Sequence, residues 1–282
     1  MKLIELVNSG SKKLLAKKIL SHKLDSELLL SKVLNKKREY VILNFDKKID
    51  EPKIYEFNKL IKRRLSKEPI AYILKQKEFW SKNFYIDKNS LIPRPETELM
   101  VEKLIDIFKN KKISILDIGT GSGCILISLL NELKKSKGLG IDISKNTLAV
   151  AKKNAKKHCS GANIRFLRRS LSEIHHCKFD LIVSNPPYIK TIDLKNLEDE
   201  VKIYEPKLAL DGGNDGLDVI KKVIYKSKEI LKFRALLALE IGNGQYKKVS
   251  DILKKNNFKI KNNIKDYKDN TRCLISSYIK NL

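Results

Sequence analysis

Glycine is missing from every position between Gly10 and Gly119 in this chain of 282 residues. That gap removes most tight-turn chemistry from the N-terminal third and points it toward helices. Cysteine is scarce: Cys124, Cys159, Cys177 and Cys273 form no C-x-x-C, and in a chain this long they are too few for a disulfide framework. His158-Cys159 and His175-His176-Cys177 lack metal-ligand spacing, and adjacent side chains rarely converge on one ion, so we read ordinary loop residues and expect no metal. No apolar run exceeds five residues, against the roughly 20 that a membrane helix needs. The N-terminus alternates Lys with Leu and Ile and carries no signal-peptide pattern. Reduced thiols without an export signal lead us to expect a cytoplasmic protein with no membrane partner. Acids are also in deficit, 33 Asp plus Glu against 59 Lys plus Arg, for a formal charge of +26. Such an excess admits a nucleic-acid partner. The lysines recur along the whole chain, on tips and backs of predicted helices, so we read them chiefly as solvated faces.

What is present suffices for a large core, since 42% of residues are hydrophobic. At about 150 residues per domain, the length suits two domains. Residues 1–74 read as helical. Asp25-Ser26 precedes Leu28, Leu29, Val33 and Leu34 on one helical face. Asp50-Glu51-Pro52 starts a further helix, with Pro52 where its missing N–H costs nothing. There Ile54, Phe57, Leu60, Ile61 and Leu65 share a face, and residues 53–67 offer a basic one. Residues 75–95 read as a linking segment with a hairpin, Glu78-Phe79-Trp80 against Phe84-Tyr85-Ile86 across Ser81-Lys82-Asn83. Pro93-Arg94-Pro95 then excludes a helical interior. Glu96-Thr97-Glu98 opens a helix with Leu99, Met100, Leu104, Ile105 and Phe108 as its stripe.

From residue 113 to the end, short apolar runs alternate with helical segments. Ile113–Ile118, Leu139–Ile143, Ile164–Leu167, Phe179–Ser184 and Leu236–Ile241 read as strands. Near-continuous apolar strands separated by helices predict a mostly parallel sheet covered on both faces, an α/β fold. Phe258–Ile260 and Cys273–Ile279 add an antiparallel edge, for seven strands in all.

Two motifs sit at strand ends. Asp117-Ile118-Gly119-Thr120-Gly121-Ser122-Gly123 joins the first strand to a helix. Glycines let the backbone approach a ligand, and a helix N-terminus offers free N–H groups to a carboxylate or phosphate. The third glycine comes one residue early for a dinucleotide fingerprint, and no G-K-[ST] follows, which excludes a P-loop. Asp142 ends the next strand, 19 residues after Gly123, where an acid can accept bonds from both ribose hydroxyls. The spacing fits S-adenosylmethionine, with its carboxylate over the glycines and its ribose on Asp142. A nucleotide, or an empty Rossmann-like fold, is the alternative. The second motif, Asn185-Pro186-Pro187-Tyr188, follows the buried run Phe179–Ser184. Two prolines fix φ there. Asn185 Oδ1 and the Pro186 carbonyl can then accept both hydrogens of a planar –NH₂ group, with Tyr188 covering its flat face. A rigid turn is the plainer reading of Asn-Pro.

Taken together these motifs resemble the amino-group methyltransferases of the class I Rossmann-like fold. Over nearly its whole length the chain resembles the release-factor glutamine methyltransferases, the PrmC/HemK family. Glu68-Pro69-Ile70-Ala71-Tyr72, Glu78-Phe79-Trp80, Leu91-Ile92-Pro93-Arg94-Pro95-Glu96-Thr97-Glu98 and Tyr204-Glu205-Pro206 carry the likeness. Gly212-Gly213 and Asp215-Gly216-Leu217 extend it. The resemblance implies a helical substrate-recognition domain over 1–74 and a catalytic domain over 96–282. It implies S-adenosylmethionine as cofactor, held by Gly119, Thr120, Gly121, Ser122, Gly123, Asp142, Ser170, Leu171 and Asn185. It implies a substrate, the glutamine of the Gly-Gly-Gln motif in class-1 peptide-chain release factors, gripped by Asn185, Pro186, Pro187 and Tyr188. Asn185, Pro186 and Tyr188 are the expected catalytic set. A monomer that needs no direct nucleic acid is expected. The family usually carries Asp where Ser170 stands in Arg168-Arg169-Ser170-Leu171, so a tenfold gain in cofactor affinity is expected from Ser170→Asp.

Positioning is the lever available to such a site, because an amide nitrogen is a poor nucleophile and no strong base is obvious in the sequence. The rival reading is a DNA or RNA methyltransferase acting on exocyclic amines (adenine N6 or guanine N2), which shares the tetrapeptide. It predicts a target-recognition insert and aromatics for a flipped base, and the sequence offers neither.

Overall fold

The computed structural model describes residues 1–159, 161, 163–175 and 177–279. Within the histidine–cysteine cluster, His176 lies outside the described residues. Two units divide the chain: Met1–Lys75 with Glu198–Tyr204, and Gln76–Leu197 with Glu205–Leu282.

The first unit is helical: α1 (Leu3–Ala16), α2 (His22–Leu34), α3 (Arg38–Leu43), α4 (Glu51–Leu65) and α5 (Ile70–Leu74), joined by α9 (Asp199–Tyr204). Leu3, Leu6, Val7 and Leu14 bury one face of α1 at helical spacing. A Cβ on Gly10 would lie 2.6 Å from Ser26 Oγ and 2.8 Å from Phe57 Cζ, so only glycine lets α1 approach α2 and α4 this closely.

α2 begins at His22, and Asp25 in its first turn is a buried partner for Arg64. The basic face expected over 53–67 is smaller than the sequence implies. Arg64 is 3% exposed, with Nε 2.7 Å from Asp25 Oδ2 and Nη2 2.6 Å from Glu200 Oε1. Arg63 is forked onto Glu68 at 2.8 and 2.6 Å. A buried guanidinium needs such partners, because isolated charge in the interior is expensive.

In the second unit, β1 (Gln76–Phe79) and β2 (Lys82–Tyr85) pair around Trp80-Ser81, both with positive φ. Two positive-φ residues form the primed turn that matches strand twist, so the turn falls one residue earlier than the sequence reading and is shorter. The hairpin is part of this unit rather than a free link: Asn154 bonds the Tyr85 main chain at 2.7 and 3.0 Å.

The main sheet uses β3 (Ser114–Ile118), β4 (Lys137–Asp142), β5 (Asn163–Arg168), β6 (Phe179–Ser184), β7 (Leu231–Glu240), β8 (Phe258–Lys265) and β9 (Thr271–Tyr278). Their order is β5-β4-β3-β6-β7-β9-β8. β3 to β7 run parallel, and β9 is antiparallel to both neighbours. α6 (Glu96–Phe108), α7 (Cys124–Glu132), α8 (Lys145–His158), α10 (Asp218–Ile230) and α11 (Tyr246–Lys255) accompany the sheet. Leu116, Ile182, Leu237 and Leu239 from the central strands meet Ile220, Val223 and Ile224 of α10 in one core. β3 is buried along its full length, as a central parallel strand must be. The strand order reverses beside β3, between β4 and β6, which opens a crevice beyond the carboxyl ends of those strands.

Candidate cofactor and substrate site

The loop after β3 is shaped by three left-handed residues, Gly119, Gly121 and Gly123, at φ +69°, +57° and +79°. Other residues rarely adopt that region, which is the local reason for glycine at all three. A Cβ on Gly119 would touch nothing within 4 Å, so its backbone faces open space. Gly123 is the N-cap of α7 and is packed from behind, where a Cβ would lie 3.0 Å from Ile127 Cδ1.

Two acids frame the loop. Asp142 Oδ2 accepts from Gly121 N at 3.2 Å and Oδ1 from Ser144 N at 2.9 Å, which ties the end of β4 to the loop. Burial raises its carboxyl above the usual range. Asp117 is buried; Oδ2 accepts from Thr120 Oγ1 at 2.7 Å, while Oδ1 has no partner among the described residues. Burial pushes this carboxyl up to about 7.

The tetrapeptide leaves β6 beside the same loop. Its conformation is imposed by close backbone contacts. A Cβ on Gly212 would lie 2.8 Å from the Pro187 carbonyl and from Tyr188 Cα, so the 212 loop presses directly on the tetrapeptide. Ile189 N bonds Leu210 O at 3.1 Å and Gly212 N bonds Ile189 O at 2.8 Å. Among the described residues no donor reaches Asn185 Oδ1 or the Pro186 carbonyl. Asn185 instead turns Nδ2 inward, 3.4 Å from Thr97 Oγ1. Thr97 Oγ1 donates to Glu240 Oε2 at 2.6 Å. Arg94 Nη2 pairs with the buried Glu205 Oε1 at 2.6 Å, and the other Glu205 oxygen accepts from Ile92 N at 3.2 Å, which pins the Pro-Arg-Pro segment.

One cavity of about 510 Å³ joins these features, within the size range of small-molecule sites. Gly119, Thr120, Gly121, Ser122 and Asp142 line one part of it. Leu171, Asn185, Pro186 and Pro187 also line it. Three predicted site residues do not reach its wall. Gly123 shapes the loop from behind. Ser170 Oγ is bonded to Ser172 Oγ at 2.8 Å, and Ser170 N to Glu173 Oε2 at 2.6 Å, in a capping turn. Tyr188 packs its ring against the core cluster, and its hydroxyl lies 3.5 Å from Glu240 Oε1. Burial pushes that phenol up to about 12. The sequence reading passed over Thr97, Glu240 and Glu205. Thr97 and Glu205 carried a signal, since both lie in segments that bear the family likeness; Glu240 carried none.

S-adenosylmethionine, the cofactor implied by the sequence resemblance, fits the residues present. The loop offers main-chain groups at Gly119, which faces open space, and a carboxylate, Asp142, lines the cavity at the end of β4. Among the described residues no group of three or more His, Cys, Asp or Glu is placed to hold a metal ion. No described helix is long and apolar enough to cross a membrane.

Comparison with known proteins gives matches along most of the chain. Residues 5–74 match the PrmC N-terminal domain and residues 109–274 a methyltransferase domain. The release factor glutamine methyltransferase of Buchnera aphidicola subsp. Baizongia pistaciae is 39% identical over 256 residues, covering 90% of this chain and 92% of that protein. That of Geobacter sulfurreducens is 38% identical over 237 residues, covering 84% and 82%. Among solved structures, a methyltransferase from Pyrococcus furiosus matches 78% of this chain and 98% of its own, with a TM-score of 0.54 at 16% identity, a likeness of fold alone.

Proposed function

The chain belongs to the release factor glutamine methyltransferase family, and from that premise we propose that it methylates the side-chain amide nitrogen (N5) of the glutamine in the Gly-Gly-Gln motif of class-1 peptide-chain release factors. One observation carries this reading. Asn185 Oδ1 and the Pro186 carbonyl, two acceptors that no donor among the described residues reaches, belong to residues lining the cavity that the glycine loop and Asp142 also line.

The amide lone pair is delocalised into its carbonyl, so the nitrogen attacks poorly. When bound, S-adenosylmethionine supplies a sulfonium-activated methyl group. Gly119, Thr120, Gly121 and Ser122 offer main-chain groups to its carboxylate, and Asp142 offers oxygens to its ribose. Leu171 gives an apolar contact for the adenine. Asn185 Oδ1 and the Pro186 carbonyl accept the two amide hydrogens and aim the nitrogen. Fixing that geometry contributes several kcal/mol, on the order of what oriented intramolecular reactions show. The same oxygens stabilise positive charge growing on nitrogen, an oxyanion hole with its sign reversed. Pro187 locks the main chain, and Tyr188 anchors the tetrapeptide through its buried ring. Ser170 acts through the turn that presents Leu171.

Residues 1–74 hold the release factor in this reading, and the protein works as a cytoplasmic monomer. Lys59 and Lys62 are exposed on the expected basic face, so Lys62→Glu raises KM for the factor if that face contributes. The central test is transfer of labelled methyl from S-adenosylmethionine to purified release factor, with DNA and tRNA as controls. Label appears on the factor and disappears when its Gly-Gly-Gln glutamine is replaced. Label on nucleic acid, or none on the factor, would overturn the proposal.

A further inference from the structure

We propose that Thr97 and Glu240 form a one-way hydrogen-bond relay that positions Asn185, leaving its Oδ1 toward the cavity. The inference deepens the function proposed above and rests on it.

Hydrogen-bond polarity drives the relay. An ionised carboxylate accepts and cannot donate, while a threonine hydroxyl has a single hydrogen. Thr97 gives that hydrogen to Glu240 Oε2 at 2.6 Å, a short, charge-assisted bond. Its remaining lone pairs can only accept. The nearest group of Asn185 able to donate is Nδ2, 3.4 Å away. Burial pushes the Glu240 carboxyl up to about 7 while the bond from Thr97 favours its ionised form, so the relay has this polarity where Glu240 is ionised, at and above about pH 7. Were the carboxamide reversed, Oδ1 would face the oxygens of Thr97 and Glu240 with no hydrogen between them. The repulsion is strong because Thr97 is 2% exposed and Glu240 3%, with little water to screen it. The same carboxylate lies 3.5 Å from the Tyr188 hydroxyl, so Glu240 steadies both ends of the tetrapeptide.

The relay joins α6, the end of β6 and the end of β7; Thr97 borders the cavity, but its hydroxyl is engaged by Glu240 and Asn185 and neither group needs to touch the substrate. Both are therefore positioning residues. Their work is to point a lone pair of Asn185, rather than an N–H, at an incoming –NH₂. A reversed carboxamide would set donor against donor and stop the reaction while leaving the cofactor side intact.

The test compares Thr97→Ser with Thr97→Ala, which both lose the methyl group and differ only in the hydroxyl. For the release factor we expect T97S to keep kcat within about threefold of wild type. T97A should lose at least about tenfold, the worth of one hydrogen bond that fixes orientation. Affinity for S-adenosylmethionine, read by calorimetry, and KM for the factor should move less than about threefold in both variants. Equal kcat in the two variants overturns the relay, whether both fall or neither does. A T97A loss that tracks lost cofactor affinity or lost folding, with T97S sound, also overturns it, because the hydroxyl is then structural. Wild-type protein is run alongside: if it transfers no methyl to the factor, the proposed function fails; if it does and the two variants match, only the relay fails.

Discussion

The glycine-loop part of the cavity wall and the tetrapeptide part are built by opposite means. The loop is made from backbone conformation, and its main ties are short-range: Thr120 to Asp117, three residues apart, and Gly121 to Asp142, 21 apart. The tetrapeptide is held in place from a distance. Asn185 is turned by Thr97, 88 residues earlier, and Thr97 by Glu240, 143 residues beyond it. Gly212 presses on its main chain from a third segment. A ligand gripped by main-chain groups needs only a loop of the right φ. A ligand whose hydrogens must meet lone pairs needs side chains of known polarity, and polarity is set by neighbours.

The contrast can be broken most sharply at Asn185. Asn185→Ala should lower kcat by about 10²-fold or more, in line with removal of a transition-state contact. Calorimetric affinity for S-adenosylmethionine should hold within about threefold, since the loop part of the wall is untouched. Parallel loss of both would merge the two parts into one.

The converse variant is Gly119→Val. A β-branched residue at φ +69° is strained by about 1–3 kcal/mol, so cofactor affinity should fall roughly 10- to 100-fold. Binding of release factor, measured in the absence of cofactor, should persist.

A subtler effect concerns the buried acid under the loop. Burial raises the Asp117 carboxyl from 3.8 to about 7, so the folded chain binds a proton that the unfolded chain releases. Its stabilising contribution is therefore present at acid pH and lost as pH rises from about 4 to about 7. Asp117→Asn has no charge to bury. Its melting temperature should gain on wild type as pH is raised from about 5 to about 8. A constant difference across that range would contradict the assignment.

The smallest effect is expected at Ser170. The sequence reading anticipates a tenfold gain in cofactor affinity from Ser170→Asp. In the fold Ser170 sits in a capping turn beside Glu173, off the cavity wall. A second carboxylate there meets like charge, and we now expect a change under about threefold.

These sites also mark what could be read in advance. The parallel strands were legible because each is a short apolar run bounded by helical periodicity, and both signals are local. β7 is longer than its apolar run, because Leu231 pairs with Phe179 ahead of an irregularity spanning Lys232, Phe233 and Arg234, and regular pairing resumes at Leu236. The hairpin turn at Trp80-Ser81 was misplaced because neither residue is typical of a positive-φ turn. Arg64 looked like surface charge because α4 shows only its own periodicity. Its partners lie on α2 and on a segment more than a hundred residues away.

From its sequence alone this protein is committed to a glycine loop, an acid one strand later and a proline-locked tetrapeptide. Backbone preference and strand periodicity act within a few residues, and each motif carries its own cause. Tertiary structure decided which end of Asn185 looks into the cavity, which basic residues reach solvent, and that Ser170 stays off the wall. Those outcomes depend on which hydrogen-bonding and charged groups meet once distant segments are packed, and packing is a property of the whole chain.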